Sequence, residues 1–152
     1  MKSTICKIAI SVILSCFILF PLSAKQLFVS PEGDDSADGS SSGNAFKTLS
    51  KAVDAAEEGD EIVLLGIIDI SQEPADKIYN SDAYNKNNQG VKILDKGLTI
   101  SGDPNQTRTK TGFTGNKTTT CLRLDGLNKK VTIRNLTIKE GNPTSDKGAG
   151  CF

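Results

Sequence analysis

The stretch LFVSPEGDDSADGSSSGNAFKTLSKAVDAAEEGDEIVLL, residues 27–65, decides the fold. It predicts a strand, a polar loop, a short helix, a tight turn and a second strand. The loop, residues 32–44, consists almost entirely of Gly, Ser and Asp, which favour turns. The second strand, residues 62–65, is an uninterrupted run of Ile, Val and Leu, which is typical of a buried strand.

The helix is expected at about residues 48–58. One apolar stripe at helical period supports it, formed by Leu49, Ala52, Val53 and Ala56. Thr48 is placed to cap the N-terminus, and Gly59 is placed for the left-handed residue that often follows a helix. Such a short helix is marginal alone in water, so we expect the stripe to pack on the strands and to cover the front of the fold.

The charges near this helix oppose its dipole. Lys47 and Lys51 lie near its start, and Glu57 and Glu58 near its end. A helix is stabilised by anions at its N-terminus and by cations at its C-terminus. The local sequence therefore does not supply the charges that the helix needs.

Short strand pairs recur after residue 65, and their starts lie about thirty residues apart, at Ile62, Val91 and Cys121. Residues 148–152 would begin another pair. If similar strands stack, Ile100 lies over Ile133 and Leu94 over Leu124. Residues 71–89 and 102–119 are polar, and we expect them to loop out between the stacked strands.

These repeats predict an all-β fold, a right-handed parallel β-helix with a short N-terminal capping helix. A sandwich built from hairpins is less consistent with the sequence, since Asp125-Gly126 is the one tight-hairpin dipeptide between the runs. In the β-helix, the rungs start at about residue 61. We expect the solenoid to be incomplete at the C-terminus of this sequence, as in the N-terminal part of a larger surface protein.

The N-terminus has the pattern of a secretory signal peptide. Lys2 and Lys7 flank the start of an uncharged apolar run, residues 8–20, and small residues follow up to Ala24. This order predicts cleavage after Ala24.

Two weaker interpretations of the leader stay open. An uncleaved membrane anchor would need about 20 apolar residues, more than the run contains. A lipoprotein would be cleaved before Cys16, but that cysteine lies inside the apolar run.

The mature chain, residues 25–152, has the length of one domain and is nearly neutral. The leader carries two of the 18 basic residues and none of the 18 acidic ones, so acidic residues exceed basic ones by two after cleavage. No basic patch indicates nucleic-acid binding, and no further apolar run is long enough to span a membrane. We expect an exported protein, extracellular or on the outer-membrane surface, with the periplasm as the alternative.

The acidic loop is the one candidate for a metal site. Asp34, Ser36 and Asp38, followed by Gly39, match the first half of an EF-hand loop. The twelfth position is Ala45, where an EF-hand has a bidentate glutamate, so half of the ligands are missing. Weak Ca²⁺ binding is thus one hypothesis, and local turns in a surface loop are the favoured alternative.

The sequence resembles the N-terminal part of right-handed parallel β-helix proteins, the pectin-lyase-like superfamily. The similar segments are Val29-Ser-Pro, Ala45-Phe-Lys-Thr-Leu, Ala52-Val-Asp-Ala-Ala and Gly59-Asp-Glu-Ile-Val-Leu. The resemblance implies that the helix caps the open end of the coil. Later strands are similar to those of bacterial polymorphic outer-membrane and adhesin-type surface proteins, although Ala149-Gly150-Cys151 departs from the GGAI-like motif of that group and its FxxN element is not visible.

The superfamily includes polysaccharide lyases and glycoside hydrolases, so an enzyme is one hypothesis. The sequence has no histidine, and aromatic residues make up 5% of it without any Trp, which is poor for stacking on sugars. Asp95 and Asp125 would form a carboxylate pair if they stacked at equivalent turns, but turn aspartates are the commoner case. We assign no catalytic residue.

We therefore expect a non-catalytic stalk or adhesin-like passenger that contacts carbohydrate or a host or cell-surface protein. The alternative is the N-terminal fragment of a carbohydrate-active enzyme. The last strands offer an open edge, so we also expect self-association through it. A thirty-residue repeat would stack Cys121 on Cys151 as buried thiols, with a disulfide less favoured because parallel neighbours direct their Cβ atoms the same way.

Overall fold

The computed structural model describes residues 24–78, 90–125 and 128–141, apart from the side chains of Leu94 and Asp125. The elements are β1 Gln26–Val29, α1 Leu49–Ala55, β2 Glu61–Leu64, β3 Ile67–Asp69, β4 Val91–Leu94, β5 Thr99–Gly102, β6 Gly112–Thr114, β7 Leu122–Asp125, β8 Thr132–Arg134 and β9 Thr137–Lys139. Short 3₁₀ turns lie at Ser42–Asn44 and Ile70–Gln72. The order strand, loop, helix, turn, strand predicted for residues 27–65 is confirmed.

The strands form three sheets in which every ladder is parallel. Sheet A has the order β1-β2-β5-β8, sheet B the order β3-β6-β9, and sheet C pairs β4 with β7. From β2 onward the chain visits sheets A, B and C in turn, and then repeats that order. Within the described residues the fold is thus mainly β, with parallel ladders and one α-helix.

Pairing within sheets A and C confirms one predicted stack and corrects another. Ile100 is the Cα partner of Ile133, as predicted. Leu124 is the partner of Ile93, so the predicted stack of Leu94 on Leu124 is wrong by one residue. In a strand such a shift places a side chain on the opposite face.

A fixed thirty-residue repeat is also wrong. Ile62 pairs with Ile100, 38 residues later, and not with Val91. The next step in sheet A, from Ile100 to Ile133, is 33 residues, and the step from Val91 to Leu122 in sheet C is 31 residues. Parallel pairing requires only that each strand lies beside the previous strand of its sheet, so the connections between paired strands can differ in length.

Residues 102–119, predicted to loop out, contain a core strand. Strand β6 lies in this segment, and its Phe113 is fully buried. Phe113 pairs with Ile68 on one side and Ile138 on the other. A three-residue strand with one large apolar side chain is too short to give a periodic signal.

The core is formed by inward-facing apolar side chains of the sheets and by the helix. On β1 and β2, alternate residues belong to the core cluster: Leu27, Val29, Ile62 and Leu64; Val63 is also buried but lies outside this cluster. The predicted stripe of the helix is buried as well: Leu49, Ala52, Val53 and Ala56. The helix therefore packs its apolar face on the sheets, as expected for an amphipathic helix.

The helix begins where predicted but ends earlier, at Ala55. The Thr48 hydroxyl accepts a hydrogen bond from the Lys51 N–H at 3.3 Å, so the predicted N-cap is confirmed. Gly59 has a positive φ of 90°, but it lies in the turn before β2 and not directly after the helix. Within the described ranges, no helix is long and apolar enough to cross a membrane.

The front edge of sheet A is covered by the polar loop, which the sequence did not indicate. The Phe28 N–H donates to the Gly39 carbonyl at 2.9 Å, and the Phe46 N–H donates to the Phe28 carbonyl at 2.9 Å. Ser30 N–H donates to the Phe46 carbonyl at the same distance. The loop therefore pairs the backbone of β1, while the helix covers the core.

Candidate functional site

The acidic loop forms local turns around its aspartates. The Ser36 N–H donates to Asp34 Oδ1 at 2.8 Å. The Ser40 N–H and hydroxyl donate to Asp38 Oδ1 at 3.0 and 2.7 Å. The backbone hydrogen bond from Ser36 holds the pKa of Asp34 below its ordinary value, and the one from Ser40 does the same for Asp38. This is turn geometry, the alternative to a Ca²⁺ loop that the sequence favours.

Among the residues described by the structure, no group of three or more His, Cys, Asp or Glu side chains is arranged to hold a metal ion. Asp34, Ser36 and Asp38 are therefore not joined by a further acidic ligand in those ranges. Weak Ca²⁺ binding by this loop stays a prediction.

The predicted carboxylate pair is not in register. Asp125 is the Cα partner of Leu94, so Asp95 and Asp125 do not occupy equivalent positions of sheet C. Asp95 has a positive φ of 43°, which places it in a turn. The stacked arrangement considered for glycoside hydrolysis is thus wrong, and a turn role fits Asp95.

Cys121 is 1% exposed. Its thiol donates to the Lys139 carbonyl oxygen at 3.7 Å. Its predicted partner, Cys151, lies outside the described residues.

A polar cluster across strands, which we call the Glu61 ladder, consists of Gln26, Glu61, Ser101 and Arg134. Arg134 donates to Glu61 Oε1 at 2.6 Å, and the Ser101 hydroxyl donates to the same oxygen at 2.7 Å. The Gln26 amide donates to Glu61 Oε2 at 3.1 Å. These four side chains come from the four strands of sheet A, so the ladder ties the whole sheet together on its outward face.

Partial burial of Glu61 opposes its ionisation. The hydrogen bonds from Ser101, Arg134 and Gln26 outweigh that burial and hold the pKa of the Glu61 carboxyl below its ordinary value. The carboxyl is therefore ionised at neutral pH, and both of its oxygens already accept hydrogen bonds.

A groove of about 160 Å³ adjoins the ladder. Its lining residues are Gln26, Glu61, Val63, Ser101, Gly102, Pro104, Arg134 and Asn135. Glu61 is the one carboxylate among these residues, whereas most glycoside hydrolases use two across the scissile bond. To act as a general base, Glu61 would first have to lose its hydrogen bonds from Ser101, Arg134 and Gln26. The geometry thus favours a structural role for this carboxylate.

Arg134→Gln is expected to raise the pKa of Glu61 and to lower the free energy of unfolding by less than about 1 kcal/mol at neutral pH, because Arg134 is exposed. The pKa of Glu61 is lowered in the folded state, so its contribution is present above the unfolded value of about 4.3 and is lost as the pH falls through the folded value. NMR titration of the carboxyl and urea unfolding measure the two effects. The exposed Arg108→Gln is the matched control, and an equal pKa change in both variants would contradict the prediction.

Two carboxylates from outside the helix supply the negative charge that its own first turn lacks. Asp35 Oδ1 accepts from the N–H groups of Lys47 and Thr48, both at 2.9 Å, and its Oδ2 accepts from the Thr48 hydroxyl at 2.9 Å. Glu73, which follows the second 3₁₀ turn, accepts from the Leu49 N–H at 2.7 Å and from the Ser50 N–H at 3.1 Å. Four successive backbone donors are thereby satisfied.

Two lysines supply positive charge at the C-terminal end of the helix. Lys96 Nζ donates to the carbonyl oxygens of Val53 and Ala56, at 2.9 and 3.0 Å. Lys25 Nζ donates to the Ala55 carbonyl oxygen at 3.3 Å. The dipole is therefore matched by charges from other parts of the chain, which local sequence reasoning could not assign.

No protein-family model matches this sequence, and neither a curated protein nor a solved structure matches it.

Proposed function

We propose that this chain is a secreted or cell-surface structural segment without catalytic activity, the capped start of a right-handed parallel β-helix that serves as a stalk or adhesin-like passenger. The observation that carries the proposal is the Glu61 ladder, whose charged groups are bound to one another across four strands. Charged side chains also have a structural role at the helix ends, where carboxylates accept from backbone N–H groups and a lysine donates to backbone carbonyl oxygens.

The topology supports the β-helical part of this proposal. Every ladder between the described strands is parallel, and from β2 onward the chain passes through sheets A, B and C in a repeating order. A coil that passes through three faces in turn produces this order, and parallel crossovers are right-handed in nearly all proteins. The resemblance to the pectin-lyase-like superfamily is consistent with the same architecture.

The absence of catalysis is tested by incubating the purified chain with uronate-containing and neutral polysaccharides, with and without Ca²⁺. We expect no cleavage by the wild-type chain. Cleavage that is lost in Glu61→Gln would instead assign the chain to the carbohydrate-active enzymes.

Export is tested by sequencing the N-terminus of the secreted chain. Cleavage after Ala24 is expected, so the first residue of the product should be Lys25. Residues 1–23 lie outside the described part of the structure, so this expectation comes from the sequence. A product that begins at Met1 or at a lipidated Cys16 would contradict it.

Self-association through the last strands is part of the same proposal. Ile133 on β8 is 39% exposed, whereas Ile62 and Ile100 in the same column are fully buried. Within the described residues, no strand pairs with the far edge of β8 or β9. Sedimentation equilibrium of the exported chain should show dimers or larger species, because an open edge templates pairing.

The variant Ile133→Lys should weaken that association, and Ser42→Lys at the opposite end of the stack is the matched control. An exported chain that stays monomeric at high concentration would contradict the proposal. So would an association that Ile133→Lys leaves unchanged.

A further inference from the structure

Asp60 is a buried carboxylate immediately before β2, with 3% of its surface exposed. Its Oδ2 accepts a hydrogen bond from the Glu57 N–H at 2.8 Å. Its Oδ1 accepts from the backbone N–H of Lys25 at 3.0 Å. The Lys25 ammonium lies 3.7 Å from Oδ2, and that side chain is 47% exposed. The Asp60 carboxylate thus accepts hydrogen bonds from two backbone N–H groups and lies beside one cation on its solvent side.

The Lys25 nitrogen is fixed in position from two sides. Besides its bond to Asp60, the residue accepts from the Glu61 N–H through its carbonyl oxygen at 3.0 Å, which aligns it with β2. Ala24 and Lys25 themselves are exposed, so the chain reaches solvent at this point. The backbone nitrogen of Lys25 is therefore a well-placed donor directly beside the predicted cleavage point.

We propose that removal of the leader converts this hydrogen bond, whose donor is a neutral peptide N–H, into a partly buried ion pair between the new α-ammonium group of Lys25 and Asp60. The inference rests on the proposed export of the chain and its cleavage after Ala24. Hydrolysis adds one water to the Ala24–Lys25 peptide bond. The Ala24 carboxyl group leaves with the leader, and the Lys25 nitrogen becomes an amine that is protonated at neutral pH.

The conversion strengthens a contact that already exists. The Asp60 carboxylate is ionised before cleavage, and a positive charge on its donor adds the Coulomb attraction between opposite charges at hydrogen-bond distance. The acceptor carboxylate is already in place and is held by the Glu57 N–H, so little rearrangement is needed. The folded mature chain should therefore be more stable than the same fold with any residue left in front of Lys25.

The Asp60 carboxylate favours the ammonium group. The other charged groups on the surrounding elements balance, because Lys129 lies 3.6 Å from Glu58, Arg134 lies 2.6 Å from Glu61, and Glu57 is offset by Lys96. Asp60 lies 3.0 Å from the Lys25 nitrogen and 3.7 Å from the Lys25 side-chain ammonium, and an opposite charge at hydrogen-bond distance raises the pKa of an α-amine above its ordinary value of about 7.7–8.0.

A raised pKa of a cationic group fixes the sign of the pH effect. The stabilisation is fully present below the unfolded pKa of the α-amine and is lost as the pH rises through its folded value. We therefore expect the mature chain to lose stability selectively above about pH 8.

The test compares the unfolding equilibrium in urea of two chains with the same net charge. One begins at Lys25 and the other retains Ala24, which moves the α-ammonium group one residue away into solvent. At pH 7 the unfolding constant of the longer chain should be about tenfold larger, which corresponds to one pKa unit. Asp60→Asn in both chains should abolish the difference.

Acetylation of the α-amine of the chain that begins at Lys25 provides a second measurement that keeps Asp60 intact. It should raise the unfolding constant of that chain and not of the chain with Ala24. Equal constants for the two wild-type chains would overturn the proposal, as would a difference that persists when both chains carry Asp60→Asn. If the secreted product begins elsewhere, the proposed cleavage fails, but the chain made to begin at Lys25 still decides whether the amine pairs with Asp60.

Discussion

Replacing Glu73 with alanine is expected to lower the free energy of unfolding by about 2–3 kcal/mol at neutral pH. Glu73 is 6% exposed, and its carboxylate accepts from the Leu49 N–H, the Ser50 N–H and the Ser50 hydroxyl, the last at 2.5 Å. Alanine would leave these donors without their acceptor beside a fully buried leucine. An unsatisfied buried donor costs about 1–3 kcal/mol, and entry of water into the vacated space reduces the total.

Two variants show whether the hydrogen bonds cause this effect. Glu73→Gln keeps the shape and one carbonyl acceptor but sets an amide donor against backbone donors, so its cost should lie between wild type and alanine. The exposed Glu32→Ala should stay within about 0.5 kcal/mol of wild type. Urea unfolding measures all three, and hydrogen exchange of residues 49–51 should accelerate in Glu73→Ala. Equal costs for Glu32→Ala and Glu73→Ala would contradict the assignment.

The same carboxyl gives a pH dependence opposite to that of Glu61. Burial raises the pKa of Glu73, the hydrogen bonds from Ser50 and Leu49 offset this only in part, and the Asp35 carboxylate adds to the rise. Its contribution to stability is therefore fully present below the unfolded pKa of about 4.3 and is lost as the pH rises through the folded value. The cost of Glu73→Ala should then be larger at about pH 4 than at pH 7. A cost that shrinks on acidification would contradict this sign.

The helix and its neighbours show what the sequence can and cannot predict. The buried stripe and the Thr48 cap follow from residue types at fixed local spacing, so both were predictable. The partners of the helix ends were not, because Asp35, Glu73 and Lys96 lie 12 to 43 residues from the groups they bind. Local charges alone indicated a poorly matched dipole, which tertiary contacts correct.

For the sheets, the strands and their inward faces were predictable, but most of the register was not. Alternating Ile, Val and Leu indicate short strands and their inward faces, and the Ile100–Ile133 pair follows from them. The register of the other pairs depends on how many residues each connection uses, and no local pattern encodes that number. Strand β6 was missed for a related reason, since its only large apolar residue is Phe113. Among the site residues, Glu61 gave no signal in the sequence because its partners lie on three other strands.

The second large effect is expected at Gly112, where alanine should cost about 3–5 kcal/mol. Gly112 has a φ of 147°, in a region that residues with a side chain rarely adopt. A Cβ atom there would also overlap the backbone carbonyl group of Thr137 on β9. Since Gly112 pairs with Thr137 in sheet B, the added methyl group must push β9 away from β6.

Three other glycines separate the two causes of this cost. Gly59 has a φ of 90° but open space around its Cα, so alanine there tests the backbone conformation alone, at about 1–2 kcal/mol. Gly33 has no positive φ, but its Cβ would lie 2.6 Å from the Ala45 carbonyl oxygen, so alanine tests the contact alone, at roughly 1–3 kcal/mol.

Gly43 has neither constraint, and alanine there should be neutral or slightly stabilising because it restricts the unfolded chain. Urea unfolding of the four variants gives a two-by-two comparison of conformation and contact. If the two causes act independently, the cost at Gly112 should approach the sum of the costs at Gly59 and Gly33. A cost at Gly112 no larger than at Gly59 would mean that β9 can move away from β6 freely. The parallel pairing of these two strands would then contribute little to the stability of sheet B.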